Sequence, residues 1–248
     1  MQQNVRELKK KISRIILLLR KEFPGVNIEK DPADPLDVLI ATILSQNTTD
    51  KTSYRAFMNL KNNFKNWDDV LSSPVKKVKD AIRVCGLANQ KSEAIRSMLK
   101  KIKSKHGKLS LDFIKEMDDN EIYRELLQYK GVGVKTVSCV LIFSLGRDVC
   151  PVDTHVHRVT NRLGIVSAKT PDKTFQQLQE VIPAGKKYLL HVLLIKFGRK
   201  ICRSNNPFCN KCVLYDLCEF KDKEHYAEIN SLSKIEPKDN DFIIMEHI

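Results

Sequence analysis

The sequence predicts an all-α protein built from many short helices. Apolar residues recur at spacings of three and four through most of the chain, and proline or glycine interrupts this pattern at intervals. No stretch shows sustained alternation of apolar and polar residues flanked by hairpin turns, so no sheet is predicted. With 248 residues, of which 42% are hydrophobic and 29% charged, the chain can bury one large core or two modest ones.

Each helix is delimited by its own signals. The first has an apolar stripe and ends at Pro24 and Gly25, and the second begins after the breakers Pro32 and Pro35. The predicted helices cover residues 5–23, 36–44, 51–64, 67–71, 74–85, 90–106, 111–117, 120–129, 134–145, 154–163, 171–181 and 185–199. After Cys218 the composition turns polar and acidic, and residues 222–248 are predicted to form an acidic tail that either docks late or stays mobile.

The net charge indicates a polyanionic partner. The chain carries 43 Lys and Arg against 30 Asp and Glu, which gives +13 and a pI near 9.4. A generally lysine-rich composition is the alternative explanation. The longest aliphatic run near the N-terminus, residues 15–19, is far shorter than the ~20 residues of a membrane span, and no small-residue cleavage site follows it. We therefore expect an intracellular protein of the cytoplasm or nucleoid.

Four of the seven cysteines are crowded into one short segment near the C-terminus. Cys202, Cys209, Cys212 and Cys218 follow the pattern C-x6-C-x2-C-x5-C, which lets one loop direct four thiolates at a single centre. Soft ligands of this number suit either an iron-sulfur cluster or zinc. Zinc sites usually consist of two short chelating pairs, and only one is present here, so the spacing favours iron-sulfur without excluding zinc.

The three other cysteines, Cys85, Cys139 and Cys150, have no partner at metal-binding spacing. We expect them to be small buried hydrophobic residues.

A glycine-containing turn followed by a lysine stands between two predicted helices. In the segment Lys130, Gly131, Val132, Gly133, the two glycines allow positive φ and the close approach of a large neighbour. The N–H groups that begin the next helix form an anion site, which a DNA phosphate would fit. Lys135 follows in the first turn of that helix, where the helix dipole and partial burial disfavour the ammonium. A neutral amine there is a nucleophile able to form a Schiff base, although an ordinary surface lysine is the alternative.

Two further features lie downstream of the hairpin. Asp153 precedes a predicted helix and is placed as its N-cap, which keeps a carboxylate ionised and makes a purely structural role equally compatible. From residue 181 to residue 215 there is no acidic residue, although seven lysines and arginines are present. This stretch therefore suggests a basic face that contacts phosphates.

Together these motifs resemble the endonuclease III family. The resemblance rests on the hairpin segment 127–136 (LQYKGVGVKT), the segment 151–159 (PVDTHVHRV) and the four-cysteine loop, in that order, and it runs from about residue 5 to Cys218. The family comprises helix-hairpin-helix DNA glycosylases with a Gly/Pro-rich loop and an aspartate.

The resemblance implies two helical domains that flank a DNA-binding cleft. Residues 31–146 would form a six-helix barrel that contains the hairpin, and residues 1–30 with 147–221 would form a domain holding a [4Fe-4S] cluster on Cys202, Cys209, Cys212 and Cys218. It also implies a monomer that binds double-stranded DNA with damaged bases or abasic sites and no membrane. The implied activity is removal of an oxidised pyrimidine followed by strand scission.

The resemblance also assigns roles to individual residues. Lys135 matches the Schiff-base lysine and Asp153 the essential aspartate. The residues expected to probe the base stack or contact DNA are Gln46, Asn47, Leu87, Gly131, Val132, Gly133 and His155. Bacterial members carry an alanine-glutamine pair where this chain has Gln46 and Asn47, so the base preference is expected to differ.

Two alternatives stay open at this level. One is a monofunctional mismatch glycosylase on the same scaffold, with water as nucleophile, although such relatives usually lack a lysine at position 135. The other is a non-catalytic iron-sulfur module that grips DNA through the hairpin alone.

Overall fold

The computed structural model describes residues 2–27, 31–232, 236–237 and 242–248. Throughout these ranges all regular secondary structure is helical, which confirms the predicted all-α class. The α-helices of the described ranges are α1 (Gln2–Glu22), α2 (Pro35–Ser45), α3 (Asp50–Asn63), α4 (Trp67–Ser72), α5 (Val75–Ile82), α6 (Ala88–His106), α7 (Asp119–Leu126), α8 (Val134–Ser144), α9 (Thr154–Arg162), α10 (Pro171–Val181), α11 (Lys187–Lys200) and α12 (Lys223–Ser231). None of them is long and apolar enough to cross a membrane.

The chain divides into two compact units. One consists of Met1–Glu29 and Asp148–Asp241, and the other of Lys30–Arg147 and Phe242–Ile248. The first is called the cysteine unit below because it contains the four-cysteine loop, and the second is called the hairpin unit.

Helices α2 and α8 form the centre of the hairpin unit. They pack against each other, and α2 also packs against α3. In α8 every residue from Thr136 to Ser144 is buried, and α2 is buried from Val38 to Leu44. Both helices are apolar on all sides, which is the pattern of a helix enclosed by others. Because α8 is enclosed in this way, its first turn cannot move without disturbing the core.

Helix α11 has the corresponding position in the cysteine unit. It is buried from Leu189 to Ile195 and again at Phe197 and Gly198, and it packs against α9 and α1. Gly198 is required at the contact with α9, because a Cβ atom there would lie 3.0 Å from the Cβ atom of His155. The close approach fixes α9, and with it the turn that precedes α9.

The structure differs from the sequence prediction at three elements. The predicted helix 111–117 is a 3₁₀-helix at Asp112–Glu116, and the predicted helix 74–85 divides into α5 and a 3₁₀ turn, Arg83–Cys85, that ends at Gly86 with φ of 67°. Helix α12 lies in a segment where no pattern was found. Its only buried residue is Asn230, so it has no apolar stripe for the sequence to reveal.

The C-terminal residues of the predicted tail pack into the hairpin unit through a short apolar group. Ile243, Ile244 and Met245 are buried, and the Ile244 N–H donates to Asp50 Oδ2 at 3.0 Å. The Phe242 ring lies edge-on to Tyr54, with their centroids 5.4 Å apart. This part of the predicted tail is thus packed against α3, whereas α12 belongs to the cysteine unit.

Candidate functional site

The hairpin connects α7 to α8 by a tight turn with two glycines of different character. Gly131 adopts φ of 82°, and an added Cβ atom would lie 3.3 Å from the Cβ atom of Ala94 in α6. Gly133 is the N-cap of α8, has ordinary extended backbone, and has no atom within 4 Å of an added Cβ. Gly131 therefore serves the fold of the turn, while Gly133 leaves open space at the N-terminus of α8.

Of the hairpin residues expected to contact DNA, Val132 is the most enclosed. It is buried, and its N–H donates to the carbonyl of Tyr129 at 3.1 Å, whereas Gly131 and Gly133 are exposed. Contact with a phosphate at this turn would therefore involve backbone rather than the Val132 side chain.

Lys135 is the second residue of α8. The structure thus places it in the first turn of a helix directly behind the hairpin, as the sequence predicts. Lys135 is half-buried, while the residues that follow it are fully buried. Its amine is consequently carried on rigid backbone at the edge of the core, which is suitable placement for a nucleophile that must meet one atom of a substrate.

Two loops of the hairpin unit carry the residues expected to probe the base stack. Gln46 and Asn47 follow α2 and are both exposed, and Leu87 precedes α6 with 47% of its surface exposed. Asn47 and Leu87 adopt left-handed backbone, with φ of 52° and 50°, which non-glycine residues rarely do. Gln46 Nε2 donates to the carbonyl of Gly131 at 2.8 Å, so the first loop is tied to the hairpin.

Asp153 caps α9 in the cysteine unit. Its Oδ1 accepts from the N–H of Val156 at 2.8 Å, as the sequence predicts for an N-cap aspartate. His155 lies in the first turn of α9, where Arg158 Nη2 is 3.1 Å from its Nδ1. Because a guanidinium can only donate, this nitrogen of His155 is the acceptor and carries no proton. Burial lowers the pKa of His155, with an opposing contribution from Asp153.

Arg158 joins this turn to the cysteine loop. Its Nε donates to the carbonyl of Cys202 at 3.0 Å and its Nη2 to the carbonyl of Gly198 at 2.9 Å. The turn that presents Asp153 and the first cysteine of the loop are therefore fixed by one side chain.

All four clustered cysteines line one cavity of the cysteine unit. Its other lining residues are mostly apolar and include Phe197, Phe208 and Phe220. Across the described ranges, no three His, Cys, Asp or Glu side chains converge closely enough to hold a single metal ion. Burial raises the pKa of Cys209 to about 11 and that of Cys212 to about 12, so these thiols become thiolates at neutral pH only beside a compensating positive charge.

Basic and amide side chains hold the backbone of the cysteine loop. Arg162 Nη1 lies 3.4 Å from Cys202 Sγ and 2.7 Å from the carbonyl of Arg203, and its guanidinium stacks on Phe220 at 4.2 Å. From the other side, Lys223 at the start of α12 donates to the carbonyl of Cys218 at 2.9 Å, and Asn230 donates to that of Pro207 at 3.0 Å. Helix α12 therefore covers the cysteine loop.

The predicted site residues fall into two groups. The hairpin unit contains Lys135, the hairpin glycines and both probing loops, and the cysteine unit contains Asp153, His155 and the four cysteines.

Sequence reasoning missed Arg158 and Arg162, although their spacing of four residues places both on one face of α9 and was a usable signal. It also missed Lys91, which no local pattern distinguishes.

Comparison with known proteins identifies the family. Residues 40–184 match the family described as the HhH-GPD superfamily base excision DNA repair protein. The chain belongs to this superfamily.

Relatives of known name give the nearer comparison. The chain is 32% identical to endonuclease III of Thermotoga maritima over 211 residues, which cover 85% of this chain and 93% of the relative. It is 43% identical over 176 residues to an Arabidopsis thaliana protein with the provisional name of DNA glycosylase, covering 70% of this chain and 59% of that protein. The chain thus spans less than two thirds of the plant relative but nearly all of the bacterial one.

A solved structure of a non-covalent endonuclease III–DNA complex has a similar fold. It has a TM-score of 0.75 and 26% identity, and the match covers 89% of this chain and 98% of the other. A structure of a trapped endonuclease III–DNA covalent intermediate matches with a TM-score of 0.74 and 27% identity, covering 88% and 97% of the two chains.

Proposed function

We propose that this chain is a bifunctional DNA glycosylase and AP lyase of base excision repair that acts on DNA in the cytoplasm or nucleoid. The observation that carries the proposal is Lys135, a half-buried amine in the first turn of the core helix α8, directly behind the hairpin. Family membership supports the DNA substrate, and the similarity to a covalently trapped endonuclease III–DNA complex supports nucleophilic chemistry.

Base removal begins with an extruded nucleotide. A base inside duplex DNA is out of reach, so it must leave the stack before its glycosidic bond can be attacked. The Lys135 amine then attacks C1′, the bond from C1′ to the base nitrogen breaks, and the base leaves with the electron pair of that bond and takes up a proton. Asp153 stabilises the positive charge that develops on the sugar and accepts a proton from the attacking amine. The two residues belong to different units, so their joint action on one sugar is part of the proposal.

Strand scission follows from the covalent intermediate. Opening of the sugar ring gives an imine between Lys135 and C1′, and the imine acidifies the protons on C2′. Loss of one of these protons breaks the bond between C3′ and its oxygen, and the 3′ phosphate leaves. Water finally hydrolyses the imine and restores the amine of Lys135.

The substrate class of the proposal is oxidised pyrimidines in duplex DNA. The space left by the extruded base is filled by Gln46, Asn47 and Leu87. Their exposure and their positions on two tight loops favour this role. Gly131 and Gly133 present backbone N–H groups to a phosphate at the start of α8. Val132, whose N–H already donates to the carbonyl of Tyr129, contributes by holding the turn in shape. His155, on the first turn of α9, is the corresponding contact from the cysteine unit.

The proposed cofactor is a [4Fe-4S] cluster held by Cys202, Cys209, Cys212 and Cys218. The four cysteines line one largely apolar cavity, and four soft thiolate ligands in such surroundings suit a cluster of this kind. When bound, the cluster supplies cross-links that fold the loop. Arg162, Lys223 and Asn230 hold the loop backbone around it.

Borohydride trapping tests the proposal. Wild-type protein mixed with duplex DNA containing one abasic site should yield a covalent adduct on reduction, because borohydride converts the imine to a stable amine. Lys135→Ala should give none, and Asp153→Asn should form the adduct more slowly. A second duplex that carries one oxidised pyrimidine separates the alternatives. Base release from it without any adduct would indicate a monofunctional glycosylase, and binding without base release or adduct would indicate a non-catalytic module.

A further inference from the structure

Lys91 is a buried lysine in an electrostatically unfavourable position. It lies in the first turn of α6 and only 3% of its surface is exposed. A cation at a helix N-terminus opposes the helix dipole. None of the carboxylates in the described ranges lies within ion-pair distance of its Nζ, and burial lowers the pKa of its ammonium. A buried ammonium in such a position depends on hydrogen-bond acceptors that compensate for its desolvation.

The ammonium of Lys91 joins the ends of two helical segments. Its Nζ donates to the carbonyl of Leu44 at 2.8 Å and to the carbonyl of Cys85 at 2.9 Å. Leu44 is in the last turn of α2, and Cys85 is the last residue of the 3₁₀ turn that follows α5. Carbonyls at such ends lack partners within their own helix, so one cation satisfies acceptors from two separate segments.

Both segments lead directly into the loops assigned to base-stack probing. Gln46 and Asn47 are the second and third residues after Leu44, and Leu87 is the second residue after Cys85. Asn47 and Leu87 both have left-handed backbone, which is strained for residues with side chains and persists only where surrounding contacts impose it. Lys91 supplies such a contact to the base of each loop.

We propose that Lys91 is a positioning residue that sets the spacing and direction of the two probing loops, so that Gln46, Asn47 and Leu87 enter the base stack together. The inference rests on the proposed function, since it takes these residues as the ones that fill the gap left by the extruded base. Lys91 itself is buried and does not contact DNA. Its effect therefore falls on base extrusion, whereas the reaction of Lys135 with an accessible sugar does not depend on it.

The test compares a substrate that requires extrusion with one that requires much less. Lys91→Met preserves length and removes both hydrogen bonds. Lys91→Gln, which keeps donors but loses the charge and length, is measured in parallel so that the comparison does not depend on the folding of one variant. Lys100→Met removes an exposed lysine from the same helix and controls for the general loss of positive charge.

For Lys91→Met and Lys91→Gln we expect single-turnover excision of an oxidised pyrimidine in a normal pair to be slower by about tenfold or more, since extrusion costs a few kcal/mol. Excision of the same lesion from a site without an opposing base, and borohydride trapping on a preformed abasic site, should stay within about threefold of wild type. Lys100→Met should stay within about threefold in all three assays. Leu87→Ala should reproduce the pattern of Lys91→Met.

An equal loss in all three assays would show that Lys91 only supports the fold, and no loss in any of them would show that the loops do not need it. Either result overturns the inference. If neither Lys91 variant folds, the role is structural and the inference is likewise overturned. Failure of the proposed function is distinguishable, because wild-type protein would then give no trapped adduct.

Discussion

The two hairpin glycines should respond differently to the same substitution. Gly131→Ala places a side chain on backbone with φ of 82°, and the new Cβ atom lies 3.3 Å from the Cβ atom of Ala94. Left-handed backbone costs an alanine roughly 1–2 kcal/mol. The tight contact adds up to about 1 kcal/mol of overpacking. The reduced freedom of the unfolded chain returns roughly 0.4–1 kcal/mol. The net loss is about 1–1.5 kcal/mol, or about 2–6 °C in Tm for a protein of this size.

Gly133→Ala is the matched control in the same turn. Its backbone φ of −113° suits any residue, and an added Cβ atom meets no atom within 4 Å. Its unfolding free energy should therefore stay within about 1 kcal/mol of wild type, the difference between glycine and alanine at an N-cap. Its added methyl group nevertheless lies beside the N–H groups that begin α8, where the proposed phosphate contact is made, so its affinity for abasic-site DNA should fall.

Thermal unfolding monitored by circular dichroism gives the Tm of each variant. Fluorescence titration with an abasic duplex gives its affinity for DNA. We expect the two effects to separate: Gly131→Ala loses stability, and Gly133→Ala loses affinity at nearly unchanged Tm. Equal Tm for Gly131→Ala and wild type would refute the assignment of Gly131 to the fold. Unchanged affinity in Gly133→Ala would refute the anion site at α8.

Three further predictions concern the cysteine unit. Burial lowers the pKa of His155 below its ordinary value of roughly 6.5, so the unfolded chain binds that proton more readily and stability is lost as the pH falls below that value. Between pH 7.5 and pH 5, the unfolding free energy measured in urea should decrease less in His155→Gln than in wild type. An identical decrease would contradict the assignment of a neutral His155. Asn230→Ala removes the donor to the buried carbonyl of Pro207 and should cost about 1–3 kcal/mol in unfolding free energy, whereas a change below about 0.5 kcal/mol would show that α12 does not hold the cysteine loop. Cys212→Ser should lower the iron content and the visible absorption of anaerobically purified protein, and wild-type protein with one zinc and no iron would contradict the proposed cluster.

The features that the sequence predicts best are those encoded locally. The all-α class, the hairpin and the place of Lys135 in a first turn each follow from neighbouring residues, because glycines stand directly before an apolar run that forms α8. Asp153 is the N-cap of α9 for the same reason, since a capping side chain bonds to N–H groups only two or three residues away.

Contacts between distant parts of the chain could not be predicted in the same way. The two acceptors of Lys91 are 47 and 6 residues away in sequence, and a lysine in a helix with many exposed charged residues looks like a surface residue. Helix α12 lacks an apolar stripe because it contacts the cysteine loop through polar groups such as Asn230 and Lys223. In both cases hydrogen bonds to distant backbone carbonyls, rather than apolar periodicity, fix the element, and the sequence pattern carries no trace of them.

The lysine that forms the covalent bond to DNA can be identified by peptide mapping. Wild-type protein is reduced with borohydride on abasic-site DNA, the adduct is digested with nuclease and protease, and mass spectrometry locates the lysine that carries the sugar remnant. We expect the remnant on Lys135 alone, and none in Lys135→Ala. A remnant on another lysine, or undiminished adduct in Lys135→Ala, would contradict this expectation.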